Sequence, residues 1–277
     1  MSNPAESDSV TPSAEPTDPL HVTVLSDEGP PLIFCHGLFG QGRNWTTIGK
    51  AFTETHSVVL VDLPNHGRSP WTETVDLAAD ADRLVAQFAD TGPVTLVGHS
   101  MGGKVAMLAA LRHPDWVERL VVVDIAPVTY GPSEEFSGYI EGMLALDTDA
   151  LESRGDADVA LQEAVPSDFV RGFLLQSLRR TSEGWRWRLN LPVLRDRLEN
   201  VSVWPAEWSD HEEYPGQVLW IAGGDSGYVK DEYAPAMEAL FPRVRRVSIK
   251  GGGHYVHSQL PDVFTEVLRR FLESPVR

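Results

Sequence analysis

Gly98-His99-Ser100-Met101-Gly102 follows an apolar run at residues 93–97 and precedes a stretch of helical composition at 104–112. A buried strand must therefore turn into a helix within one or two residues, which forces Ser100 into a strained backbone conformation. Glycines on either side let neighbouring backbone approach without a Cβ clash. The turn presents the hydroxyl at the edge of a sheet, beside the first free amides of the helix. A bare G-x-S-x-G is common by chance, but the strand-turn-helix setting makes Ser100 a candidate nucleophile. The alternative is a serine that merely caps the helix, and it survives only if no partner residues occur elsewhere.

The surrounding pattern is consistent with such a turn. Residues 31–35, 57–63, 93–97, 120–124, 217–222 and 244–249 are strand-like, and most are continuously apolar; 21–25 alternates loosely as an edge strand. Helical segments fall at 44–52 (with Asn44 as a cap), 75–89, 104–112, 232–241 and 262–272. Apolar strands alternating with helices predict an α/β chain with a mostly parallel sheet covered on both faces. The rhythm breaks between 128 and 214, where helices alone are expected, at 134–146, 157–164, 168–180 and 194–200. The predicted organisation is a core of 20–127 and 215–277 with a helical lid, 128–214, inserted before the last two strands. Residues 1–19 hold four prolines, four acids and no Lys or Arg, the composition of a disordered acidic tail.

Charge narrows the partners. The chain has 277 residues, 40 Asp and Glu against 23 Lys and Arg, and a formal charge of −17. Such a surface repels nucleic acid and anionic lipid, and it disfavours anionic substrates unless a local arginine patch overrides it. No apolar run approaches the roughly 20 residues of a membrane helix, so no membrane insertion is expected. The start of the chain lacks the basic and apolar regions of a secretory signal, which predicts a cytoplasmic protein. Cys35 is the single cysteine and lies in an apolar run, so a buried structural thiol is expected.

A serine hydroxyl needs a base, and the base needs an orienting carboxylate. Of nine histidines, His254 follows Gly251-Gly252-Gly253 directly beyond the last strand, where a glycine loop can aim an imidazole at the serine. His257 is the competitor, but it heads into the final helix. Asp124 ends the strand after the serine, and Asp225 ends the strand before the histidine. Both keep the chain order Ser, Asp, His, so spacing leaves either as the acid. For the oxyanion hole, Met101 supplies the amide after the nucleophile and Leu38, in His36-Gly37-Leu38-Phe39-Gly40, supplies the second.

With these pieces the chain from His21 onward resembles the α/β-hydrolases. More narrowly it resembles the group of bacterial acyl esterases, mitochondrial abhydrolase-domain proteins and yeast alcohol acyltransferases. The shared pieces are His36 to Gly40 with Asn44-Trp45, Asn65-His66-Gly67-Arg68-Ser69-Pro70, Gly98 to Lys104, Asp124 to Val128 with Tyr130, Trp185-x-Trp187, and Gly253 to His257. The resemblance favours Asp124 as the acid, since that group often carries asparagine at the position of Asp225. It implies hydrolysis of a small-molecule ester or thioester through an acyl-enzyme, with no metal or organic cofactor. Phe39, His99, Phe136, Tyr139, Met143, Phe173, Trp185, Trp187 and Tyr255 are candidates for the acyl pocket. Transfer to an alcohol, cofactor-free perhydrolase or haloperoxidase-like chemistry and C–C bond hydrolysis share the triad and remain alternatives. Haloalkane dehalogenases and epoxide hydrolases use a carboxylate nucleophile, which Ser100 argues against. A binding protein on a retired scaffold conflicts with the retention of Ser100, His254 and both acids.

Overall fold

In the computed structural model the described residues are 18–208 and 212–275, so the expected tail lies almost wholly outside them. The strands, in chain order, are β1 (Val22–Ser26), β2 (Pro31–Cys35), β3 (Ser57–Val61), β4 (Val94–His99), β5 (Val117–Val123), β6 (Leu178–Thr181), β7 (Gly184–Trp187), β8 (Gln217–Gly223) and β9 (Val244–Ile249). The helices are α1 (Thr46–Lys50), α2 (Leu77–Gln87), α3 (Met101–Arg112), α4 (Glu134–Ala145), α5 (Arg154–Ala160), α6 (Asp168–Leu174), α7 (Leu191–Asp196), α8 (Leu198–Ser202), α9 (Ala234–Leu240), α10 (Val256–Gln259) and α11 (Pro261–Leu272).

Seven strands form one sheet in the order β1-β3-β2-β4-β5-β8-β9. All its pairs are parallel except β1 with β3, which places the loosely alternating first strand at an edge as expected. Successive side chains of a strand point to opposite faces. In β2, Ile33 and Cys35 join one apolar cluster with α2 and α3, while Leu32 and Phe34 join another with Trp45, Ile48 and α11. Both faces of the central strands are therefore dry, which is why these strands read as unbroken apolar runs. Cys35 is buried, and burial pushes its thiol up to about 12. No helix among the described residues is long and apolar enough to cross a membrane.

Between β5 and β8 the chain departs from the all-helical expectation. Residues 178–187 form an antiparallel hairpin, β6–β7, with Leu178 opposite Trp187 and Arg180 opposite Trp185. The predicted helix 168–180 ends at Leu174, passes through a 3₁₀ turn and becomes a strand. Leucine and arginine are good helix formers, so the local composition misleads. Gly184, at φ 113°, and the alternation Trp185-Arg186-Trp187 were the period-two signal that outweighs it. Asn44 is not a helix cap either: it lies inside a 3₁₀ turn, where its Oδ1 accepts the Gln41 N–H at 2.6 Å.

The insert shares an apolar cluster with the core and is joined to it by hydrogen bonds. Ser177 donates its hydroxyl to the Phe39 carbonyl at 3.1 Å, and Asn190 donates to Asn65 Oδ1 at 2.9 Å. Its two necks meet where Tyr130 N–H donates to the Ser202 carbonyl at 3.0 Å. Lys104, 1% exposed, reaches the same junction from α3 and donates to the carbonyls of Ser202 and Val203. Burial lowers its ammonium to about 7.

Candidate active site

β4 ends at His99, and the next residue turns sharply. Ser100 has φ 51° and ψ −118°, a conformation that costs about 1–3 kcal/mol for a residue with a Cβ. The turn is possible because Gly98 and Gly102 touch: a Cβ on Gly98 would stand 2.2 Å from the Gly102 carbonyl oxygen. The Ser100 N–H donates to the Val123 carbonyl at 3.0 Å, fixing the turn to β5.

His254 lies in the loop after β9. Its Nε2 is 3.0 Å from Ser100 Oγ, and its Nδ1 is 2.8 Å from Asp124 Oδ2. The tautomer that donates Nδ1–H to the carboxylate leaves Nε2 as acceptor for the serine hydroxyl. Asp124 is fully buried. Gly223 N–H donates to its Oδ1 at 2.8 Å, and the Ser226 hydroxyl joins the His254 imidazole on Oδ2. Three donors on two oxygens is the pattern an ionised carboxylate accepts. Asp225 is exposed, and among the described residues its side chain makes no hydrogen bond to His254. Its backbone N–H instead donates to the Gly252 carbonyl at 2.8 Å.

Met101 directly follows the serine, and Leu38 follows Gly37 in a loop that packs on the serine turn. Met101 opens α3, so its amide has no acceptor within the helix. The Leu38 loop presses against the serine turn: a Cβ on Gly37 would lie 2.7 Å from His99 Nδ1 and 3.1 Å from Ser100 Cβ. Buried histidines hold that loop. His36 Nε2 accepts the Leu63 N–H at 2.9 Å, and His66 Nε2 accepts the Phe39 N–H at 3.2 Å. Burial lowers His36 to about 4 and His66 to about 3, so both are neutral at pH 7 and available as acceptors. His99 donates to the His254 carbonyl at 2.7 Å and backs the imidazole rather than facing outward. His257 is stacked on Trp45 at 4.2 Å, and burial lowers it to about 3. Desolvation also lowers His99, so neither neighbour adds positive charge beside His254.

Above the serine the aromatic candidates divide. Phe39 meets Phe136 edge-on at 5.9 Å, Phe136 meets Tyr139 at 6.2 Å, and Tyr255 packs on Phe173 at 4.7 Å and His254 at 5.4 Å. Met143 is buried in the same core cluster. Trp185, in β7, joins the same cluster, and Trp187 donates its indole N–H to the Met143 carbonyl at 3.1 Å and lines a cavity of about 560 Å³ that no residue around Ser100 lines. Ser226, Tyr228 and Tyr130 also surround the His254–Asp124 pair. Tyr228 stacks on the His254 ring at 4.0 Å. Tyr130 accepts the Ala126 N–H and donates to the Tyr228 carbonyl at 2.7 Å. Tyr130 was quoted only as part of the resemblance, and no local pattern marks the other two. The available hint was Ser226-Gly227-Tyr228 at the end of β8, where loop residues cluster over a parallel sheet.

This fold is shared with known proteins. The alpha/beta hydrolase fold family matches residues 30–260. The chain is 36% identical over 264 residues to the sn-1-specific diacylglycerol lipase ABHD11 of Mus musculus, covering 92% of this chain and 85% of that protein. It is 34% identical to esterase YbfF of Escherichia coli, covering 88% and 93% of the two chains. A probable alcohol acetyltransferase of Saccharomyces cerevisiae is 32% identical, over 89% of this chain and 79% of its own length. Among solved structures, a marine microorganism esterase superposes with a TM-score of 0.87 at 30% identity, covering 91% of this chain and 99% of that one.

Proposed function

The chain belongs to the α/β-hydrolase family and is a carboxylic ester hydrolase, and on that premise we propose that it works through Ser100, His254 and Asp124 by an acyl-enzyme route. Ser100 Oγ attacks the ester carbonyl carbon as its proton passes to His254 Nε2. Asp124 accepts the Nδ1–H, holds the tautomer and offsets the charge of the imidazolium. The tetrahedral oxyanion is held by the Leu38 and Met101 amides, fixed dipoles that need no reorganisation as charge develops. His254 returns the proton to the leaving alcohol or thiol, and the C–O or C–S bond breaks. It then takes a proton from water as the water oxygen attacks the acyl carbon, and gives that proton to Ser100 Oγ as the acyl C–Oγ bond breaks and the acid leaves. The observation that carries this reading is the unbroken hydrogen-bond chain from Ser100 Oγ through His254 to Asp124. The acyl chain is assigned to the aromatic surface of Phe39, Phe136, Tyr139 and Tyr255, contributed jointly by the core and the insert acting as a lid.

A fluorophosphonate should label Ser100, and Ser100→Ala should lose label and about 10⁴-fold or more of turnover on p-nitrophenyl acyl esters with unchanged circular dichroism. Normal turnover by that variant would remove the serine route. Similarity to the yeast acetyltransferase supports a second reading, in which an alcohol replaces water as acceptor. Added ethanol then yields ethyl ester in place of free acid, and the product ratio separates the two.

A further inference from the structure

Glu135 stands in the first turn of α4, one residue before Phe136 of the proposed acyl surface. An acid at that place suits the positive end of a helix, which accounts for its residue type without giving it a target. Glu135 also has a partner. The Tyr139 hydroxyl, one turn on, donates to its Oε1 at 2.5 Å. Tyr139 is buried, and Phe136 packs against both Tyr139 and Phe39 of the core. An exposed carboxylate is thus fastened to a buried phenol of the acyl surface.

Its charge reaches beyond that bond. Burial raises the phenols of Tyr139, Tyr228 and Tyr255, Tyr228 to about 12, and the Glu135 carboxylate adds to the rise in all three. Tyr228 and Tyr255 are the rings set against His254, at 4.0 and 5.4 Å. The other carboxylate acting on Tyr228 is Asp124, whose oxygens are taken by His254, Ser226 and the Gly223 N–H. Neighbouring cations are engaged as well. Arg171 belongs to α6, which packs Phe169 and Phe173 on Tyr255, and it pairs with Asp158 at 3.0 Å and Asp168 at 2.8 Å. Lys230, two residues beyond Tyr228, pairs with Glu232 at 3.4 Å. Glu135 has no cationic partner among the described residues, so the uncompensated charge beside the acyl surface is negative. A carboxylate next to a largely dry aromatic surface is screened less than one in open water.

We propose that Glu135 is a specificity-determining residue, which makes the site favour acyl chains ending in a cationic group over chains ending in an anionic one. The inference rests on the acyl surface assigned under the serine mechanism. A chain lying along Phe136 and Tyr139 brings its far end toward Glu135, where an ammonium is attracted and a sulfonate or phosphate repelled.

The test uses p-nitrophenyl butanoates carrying a terminal trimethylammonium, tert-butyl or sulfonate group, three esters of similar shape that differ in charge. With the full chain at low ionic strength, kcat/KM should be roughly tenfold or more higher for the cationic than for the anionic ester, and NaCl should narrow the gap. Glu135→Gln keeps the shape and can still accept from Tyr139, so it removes the charge alone. The cation-to-anion ratio should then fall about tenfold, to near one. Glu135→Asp keeps the charge and should retain the sign of the preference. A purely structural role for Glu135 would slow all three esters together and leave their ratio alone. A wild-type ratio near one, or an unchanged ratio in Glu135→Gln, overturns the proposal. The neutral ester reports the serine route separately. Its loss in Ser100→Ala upholds that route even where the charge ratio is flat, and its survival there strikes the route.

Discussion

The rim of the sheet and the insert above it are built on different principles. At the rim, backbone geometry sets position: Phe39, Asn65, Ser100 and Asp124 all have positive φ, and buried neutral histidines pin the loops between them. The insert has its own hairpin and short capped helices, and it meets the core through hydrogen bonds at Tyr130, Ser177, Asn190 and Lys104 and through apolar packing in the same cluster as the sheet. A reacting hydroxyl has to be held to a few tenths of an ångström, and a strained turn inside a dry sheet does that. An acyl pocket has only to exclude water and match a shape, which a tethered cap achieves. On the proposed mechanism the reacting atoms rest on the rim, while the acyl chain meets residues of both regions.

The two regions should respond differently when perturbed. The largest effect concerns the acids: Asp124→Asn should lower kcat about 10⁴-fold, while Asp225→Asn stays within about twofold in the same ester assay. Equal losses from both would break the assignment of the rim. Next, Gly37→Ala adds a methyl 2.7 Å from His99 Nδ1 and should displace the Leu38 amide, lowering kcat about 10²-fold with little change in KM. An unchanged kcat would detach that loop from the oxyanion.

Acid provides a third contrast. His36, His66 and His257 are buried with values of about 4, 3 and 3, below the roughly 6.5 of an unfolded chain. Between those limits the unfolded state binds more protons, so stability falls as pH drops from about 6.5 toward 4. The insert has no histidine among its described residues. Amide exchange at pH 5 should therefore rise first in the loops at 36–41 and 63–70, and a His36→Asn variant should show a shallower acid decline in its urea midpoint. Exchange rising first in the insert would reverse the comparison.

The smallest effect is expected at the junction. Lys104→Met should stabilise by about 1–2 kcal/mol at neutral pH, because a buried ammonium is costly. Its pKa of about 7 lies below that of an unfolded lysine, so the wild type gains stability as pH rises above 7 and the difference narrows by pH 10. Turnover of acetyl esters should hold, while preference along a two- to twelve-carbon acyl series shifts as the necks loosen. A fall in acetyl turnover as steep as that of Gly37→Ala would place Lys104 with the rim.

Much of the rim was legible before the fold was known. Ser100 and the two acids sit at the ends of apolar runs and His254 in the glycine loop beyond the last strand, and strand order puts such ends along one edge. The choice of Asp124 was not legible from spacing, because both acids obey the same chain order. It depends on the distance from His254 Nδ1, together with Ser226 and Gly223 closing on the carboxylate. The hairpin at 178–187 escaped for another reason: two four-residue strands pair through their partners, and Leu-Arg-rich segments favour helix until that pairing forms.

Periodicity and glycine placement are local properties, written every two or four residues, and they alone determined a parallel sheet with a serine turn at its edge. Tertiary packing decided what requires residues from separate parts of the chain to meet. That includes the aspartate hydrogen-bonded to His254, the tyrosine stacked on that imidazole, and the buried lysine that joins the necks of the insert. A chain encodes such approaches through the sum of many weak burial terms, so no short stretch of it carries them.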